Sequence, residues 1–277
     1  MVLSARELWR VLEPLHGMIY FAPEAQERYA ALGLDRTSGY FASRAAALGP
    51  VSAEVVVATF YNFNPVFVRA AIPAAWSTVT PAAVLEARLD AADHALRRGL
   101  GELAADVSEL AALARIAAER ACESPQGRPL FAGHAALPWP DEPLLVLWWA
   151  QTLLREFRGD GHLAALLLEG LSGIEALVVH AASGEVSVEA LRRSRAWSES
   201  EWAAAVEGLR SRGVVDAEGG LSAEGLELRG RVEGRTDALA EAPYAELGED
   251  KRERFVELAR PLSRAVVAAG MLPFAKR

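Results

Sequence analysis

The segment Arg155-Glu-Phe-Arg-Gly-Asp-Gly-His162 packs a carboxylate, an imidazole and two guanidiniums into eight residues. Arg155 and Arg158 are suited to clamp an anion, because a guanidinium offers a planar fork of donors to carboxylate or phosphate. Asp160 and His162 are suited to move a proton beside it. Glycines on both sides of Asp160 predict a break in the helix that starts near Leu144, which would also expose backbone N–H groups. A second reading makes 159–161 a helix–helix turn, with Asp160 capping the next helix and the arginines paired with nearby acids. The two readings are compatible.

A second group lies near the N-terminus. Glu13, His16 and Tyr20 follow one another at helical steps and share one face. If the two segments meet across an interface between domains, where ligand pockets tend to form, one cleft would collect both sets. His16, Asp160 and His162 are then the candidate catalytic residues. Tyr20, Phe21, Tyr61, Asn62, Arg155 and Arg158 are the candidate ligand contacts. The remaining histidines, His94, His134 and His180, read as structural. His16, Asp160 and His162 would make a mixed imidazole–carboxylate set, but no HxxxH or HExxH spacing exists, so no metal is assigned and the cofactor stays undefined. GxSxG, Walker and GxGxxG signatures are absent as well.

The elements that must position these residues are helices. Leu3, Leu8, Val11, Leu12 and Leu15 recur at three- and four-residue steps, as do Leu85, Leu89, Ala92 and Leu96. Prolines crowd the stretch from Pro125 to Pro143 and exclude a continuous helix there. The expected organisation is a first unit over 1–122, a proline-rich linker over 123–143 and a second unit over 144–277. The two units echo each other. Gly49-Pro-Val-Ser-Ala-Glu-Val55 matches Gly184-Glu-Val-Ser-Val-Glu-Ala190 at glycine, valine, serine and glutamate, and Thr80 opens a helix much as Ser222 does. Ordered agreement of this kind points to an internal duplication.

The second unit is the more legible. A short helix from Ser187 is followed by a turn at 195–197, and Ser198-Glu-Ser-Glu201 is a capping-box start for the next helix. Gly213 stops that helix, 214–222 reads as two short strand pieces around a glycine turn, and a long helix follows from Ala223. That is the order of a winged helix-turn-helix unit. Leu209-Arg-Ser-Arg-Gly-Val-Val-Asp216 and Gly220-Leu-Ser-Ala-Glu-Gly225 resemble the stretch of MarR-type regulators that runs from recognition helix through wing. The whole chain is also similar to an actinobacterial helix-turn-helix family. It shares runs such as Tyr20-Phe-Ala-Pro-Glu24, Phe60-Tyr-Asn-Phe63 and Gly127-Arg-Pro-Leu-Phe131 with that family. The resemblance implies a mainly α fold of tandem duplicated MarR-like winged helix-turn-helix units with small β-wings, and it implies no particular activity.

Nucleic acid is a disfavoured partner. The chain carries 29 basic and 37 acidic side chains, a net charge of −8. More tellingly, the acids sit on the candidate recognition helix (Glu199, Glu201, Glu207) and wing (Asp216, Glu218), where phosphates would have to approach. The leading expectation is a protein that binds a small anionic or aromatic molecule between two degenerate units, with acid–base chemistry open. The alternative is a MarR-like transcriptional regulator with a small-molecule effector site, its Arg192, Arg193 and Arg195 meeting phosphate. One cysteine, Cys122, excludes an internal disulfide framework. The N-terminus has no signal-peptide pattern and the apolar stretch 144–154 is too short to span a bilayer, so a cytoplasmic protein without membrane contact is expected. Oligomeric state is left open.

Overall fold

The computed structural model describes residues 3–272. Helix α1 (Ala5–Gly17) begins at a reciprocal capping box between Ser4 and Glu7 and buries Leu8, Leu12 and Leu15 along one stripe. After a 3₁₀ turn come α2 (Pro23–Ala31), α3 (Arg36–Ala45), α4 (Ala53–Phe60), α5 (Pro65–Ala71), α6 (Ala74–Thr78) and the long α7 (Pro81–Leu100). Helices α8 (Ser108–Cys122), α9 (Pro129–Ala135) and α10 (Pro143–Leu168) follow. The chain closes with α11 (Gly173–Ala182), α12 (Val188–Arg195), α13 (Glu199–Ser211), α14 (Ala223–Ala240) and α15 (Glu249–Ala268).

Helix α10 is the spine. Pro143 opens it at a position where the missing N–H costs nothing, and the Glu142 side chain caps Leu145 N at 3.1 Å. Its first half packs against α8, α9 and α1, so Leu144, Leu147, Trp148 and Leu153 are buried all round. Among the described residues no single helix is long and apolar enough to cross a membrane.

The helix does not break at Gly159–Gly161, contrary to the expectation from the two glycines. Tertiary packing overrides their weak propensity. A Cβ at Gly161 would stand 2.7 Å from Arg128 Nη1 and 3.2 Å from Leu239 Cβ, so that glycine is a contact point between helices and not a hinge. Continuity has a chemical consequence. Residues two apart on a helix point about 200° away from one another, which separates Asp160 from His162.

The proline-rich stretch is no exposed connector. It contains α9, whose Leu130, Phe131 and His134 are buried. Its prolines fall at helix starts and in the turns between helices, where a lost N–H matters little. Nor does the core divide at that stretch. One apolar core runs from Ala5 to Phe157 and recruits Ala240 to Met271, so α15 packs on α1, α7 and α8. A second, smaller core spans Ala165 to Val232 and comprises the end of α10 with α11 to α14. The second unit therefore ends before α15, and α10 and α14 each pass from one core to the other.

The expected β-wings are not formed as strands. Among the described residues the only ladder element is an isolated antiparallel bridge between Val215 and Leu221, closed by Asp216 N to Gly220 O at 2.9 Å. In the first unit the same interval, between α5 and α7, holds the short α6.

The chain paths around α4 and α12 agree closely. Gly49 and Gly184 take φ of 80° and 79°, and Ser52 and Ser187 stand at the following N-caps. Both helices have eight residues, and each ends at a non-glycine residue with positive φ: Tyr61 at 38° and Ala196 at 58°.

Candidate functional site

Between the two cores lies a cleft of about 1600 Å³. Tyr20, Phe21, Tyr61, Asn62, Arg155 and Arg158 all line it, and so do Asp160 and His162. His16 does not line it. That ring is fully buried, stacked on Trp148 with centroids 5.3 Å apart and planes 9° apart.

His16 serves instead in a buried network that sequence reasoning missed. Arg88, 2 % exposed, lies over the Trp148 ring and donates to Ser43 O at 3.2 Å. Its other contacts are His134 Nε2 at 3.3 Å and His16 Nε2 at 3.4 Å. A guanidinium can only donate, so both imidazoles must be neutral and present a lone pair. Burial, reinforced by nearby arginines, drives the His16 pKa well below its ordinary value. Burial and Arg88 push His134 down to about 4. A signal existed in the sequence: Arg88 interrupts the stripe Val84, Ala91, Ala92, Ala95 at a core position of α7.

Asp160 caps a helix, but a different one from that expected. Its Oδ2 accepts from Phe131 N at 2.9 Å, satisfying the first turn of α9. Burial lifts its carboxyl to about 6, against the opposing effect of that backbone bond. His162 lies on another face of α10, with Nδ1 at 2.9 Å from Thr236 Oγ1. The Thr236 hydroxyl donates to Val232 O at 2.7 Å, so it accepts from His162 Nδ1–H and leaves Nε2 as an acceptor. Burial lowers the pKa of His162, and Arg158 adds to the effect while Glu233 opposes it. The structure thus gives Asp160 and His162 separate partners, Phe131 N and Thr236 Oγ1. Among the described residues no three His, Cys, Asp or Glu side chains converge as metal ligands.

The opposite end of the cleft gathers guanidiniums and aromatic rings. Arg155 Nε donates to Glu13 Oε1 at 3.1 Å and Arg155 Nη1 to Glu156 Oε1 at 3.0 Å. Arg44 Nη1 donates to Tyr40 Oη at 2.9 Å, and Arg44 Nη2 stands 3.9 Å from Glu156. Burial alone would raise Glu156, but Arg155 and Arg44 outweigh it and hold the carboxylate ionised. Arg195 stacks over Phe63 at 4.7 Å, and Arg44 over Phe60 at 4.3 Å. Against burial, Arg44 and Arg195 hold the Tyr40 phenol below its ordinary pKa. Arg158, at the other end, pairs with Asp237 at 2.8 Å and lies over Trp9.

The three arginines proposed from sequence to meet phosphate have different surroundings, and Arg193 is exposed. Arg192 pairs with Glu199 at 2.8 Å and Arg193 with Glu189 at 3.2 Å, while Arg195 turns into the cleft. The two helix-turn-helix turns also clasp each other. Asn64 N donates to Arg195 O at 3.0 Å, Trp197 Nε1 to Asn62 O at 2.9 Å, and Asn64 Nδ2 to Glu201 Oε1 at 3.2 Å. Tyr61 Oη donates to Leu171 O, and a Cβ on Gly173 would overlap the carbonyl oxygen of Tyr61. The starts of α5 and α13, the helices that follow the two turns, therefore lie against one another.

No curated protein and no solved structure matches the chain. The model of a helix-turn-helix family matches residues 5–273, and the all-helical order of the described residues agrees with it. The chain belongs to that helix-turn-helix family.

Proposed function

We propose that the protein binds a small organic anion in the cleft between two helix-turn-helix units that no longer read DNA. The observation that carries this reading is the cluster of Arg44, Arg155 and Arg195 around aromatic rings in a cleft large enough for a metabolite. Concave sites with apolar walls and a few convergent charges are the usual form of small-molecule sites. Desolvated guanidiniums that repel one another are stabilised when an anion enters between them.

Two further observations support loss of DNA reading. A helix-turn-helix protein contacts base edges with the N-terminal residues of its recognition helix. Here Asn64, the N-cap of α5, and Glu201, in the first turn of α13, bond to each other instead. Glu199 and Glu207 remain exposed on α13, where they would face phosphates. The paired conformations around α4 and α12 favour an internal duplication, with the MarR-like unit as the repeated element and its wing reduced to a single bridge. Opposed copies would explain why a cleft forms between them.

The test is native mass spectrometry of freshly purified protein together with fluorescence anisotropy on duplex DNA from its own locus. A retained small anion with no salt-sensitive duplex binding is expected. Tight duplex binding that weakens steeply with salt would instead establish a DNA-bound regulator whose cleft is an effector site.

A further inference from the structure

We propose that the turn at Tyr61 is a strained latch: it holds the second unit shut over the cleft, and its release to an ordinary backbone conformation opens the cleft on that side. The latch governs entry, whatever the cleft binds, so it stands or falls apart from the ligand reading.

Strain is visible in the backbone. Among the described residues only Tyr61 and Ala196 take positive φ without being glycine. Tyr61 has φ 38° and ψ −54°, and Asn62 N donates to Phe60 O across it at 2.5 Å. That is close to the rare, strained form of γ-turn, in which a Cβ crowds the neighbouring backbone. Ala196, with φ 58° and ψ 36°, is left-handed, a milder departure. Conformations of this kind last only where surrounding contacts over-determine them.

Those contacts come from across the cleft, and they join the two segments that carry the unusual angles. Tyr61 Oη donates to Leu171 O, Trp197 Nε1 to Asn62 O at 2.9 Å, and Asn64 N to Arg195 O at 3.0 Å. The Tyr61 carbonyl lies against Gly173, where a Cβ would overlap it. Phe60 belongs to the first core, yet Tyr61, the next residue, packs against the second, and the tight turn is what lets them part.

The same residues are the wall of the cleft, which Tyr61, Asn62, Phe63, Leu171 and Arg195 all line. Helices α10 and α14 carry residues in both cores, so release at Tyr61 leaves the second unit attached through them. Opening trades the hydrogen bonds of the clasp for bonds to water. Relief of strain at Tyr61 offsets part of that loss and brings the open state nearer in free energy.

Spin labels on Val66→Cys in α5 and Glu207→Cys in α13, with Cys122→Ala, report the gap between the units by electron–electron resonance. Both labelled positions are exposed. The natural turn is expected to give one dominant distance. Tyr61→Ala and Tyr61→Gly both lose the ring and its hydroxyl, but only alanine keeps a Cβ in the strained turn. Alanine should therefore raise the population at longer distance about fivefold over glycine. At an unstrained turn the order reverses, because the freedom of glycine favours the open state. Tyr61→Phe keeps the ring, loses the bond to Leu171 O, and should show the longer distance as well. Circular dichroism confirms that each variant is folded. A glycine variant as open as the alanine one, or one unchanged distance in all three variants, overturns the proposal.

Discussion

Asp160 Oδ2 accepts a hydrogen bond from Phe131 N at 2.9 Å, so a carboxylate in the middle of α10 caps the first turn of α9. The bond pins the proline-rich stretch onto the spine across 29 positions of sequence. Asp160→Ala would leave a buried N–H without a partner, at a cost of about 1–3 kcal/mol. Asp160→Asn keeps an acceptor and should cost clearly less. Urea denaturation of the two variants checks the order, and equal loss from both would remove the capping role.

Acid stability follows from the buried histidines. A histidine whose folded pKa is depressed adds stability above its unfolded value that is lost as pH falls below it. His134 moves from 6.5 down to about 4, so it withdraws roughly 3 kcal/mol across that interval, and His16 acts in the same direction. Asp160 has the opposite sign. Its folded pKa is raised from 3.8 to about 6, so protonation favours the folded state as pH falls through that range, by a similar amount. The two nearly cancel in the natural protein, leaving the His16 contribution. Asp160→Asn should expose the histidine effect, with stability falling about 3 kcal/mol more steeply from neutral pH to about pH 4. Denaturant midpoints across that range measure it.

Gly173 sits at the N-terminus of α11, where a methyl group would overlap Tyr61 O in the turn after α4. Gly173→Ala must push the two units apart, at about 1–3 kcal/mol if the overpacking is relieved locally. The cleft should suffer more than the cores. Ligand affinity is expected to fall while circular dichroism stays helical, and unchanged binding would place the ligand elsewhere.

Asn64 carries two duties: its side-chain oxygen caps Val66 N at 3.0 Å and its amide reaches Glu201. Asn64→Ser retains a cap but not the reach across the clasp. Asn64→Ala loses both and should cost about 1–2 kcal/mol, most of it from the cap. Urea denaturation reads the cap, and amide hydrogen exchange around 195–201 reads the clasp. Faster exchange there in both variants is the mark of a loosened clasp.

Local structure was open to reading before any coordinates. Ser198-Glu-Ser-Glu201 forms the capping box, Gly213 ends α13 with φ of 73°, and Ser222 caps α14. Those features depend on neighbours within four residues, so the sequence holds all the information. Phe21, Tyr61, Arg155 and the other candidate ligand contacts come from separate segments, and the fold brings them to one cleft. The wing was over-read. Residues 214–222 have turn chemistry, but strand formation needs a partner surface, and one bridge is all the packing supports.

The sequence by itself determined the helices and their caps, because periodicity and capping are local. Tertiary structure alone decided that α10 runs straight through Gly159 and Gly161, since close approach of Arg128 and Leu239 outweighs glycine's low helix propensity. It also parted the expected triad. His16 went behind Trp148 as a neutral acceptor for Arg88, Asp160 turned to α9, and His162 turned to Thr236. Burial of a charge requires partners from distant segments, and no spacing along the chain encodes which ones will arrive.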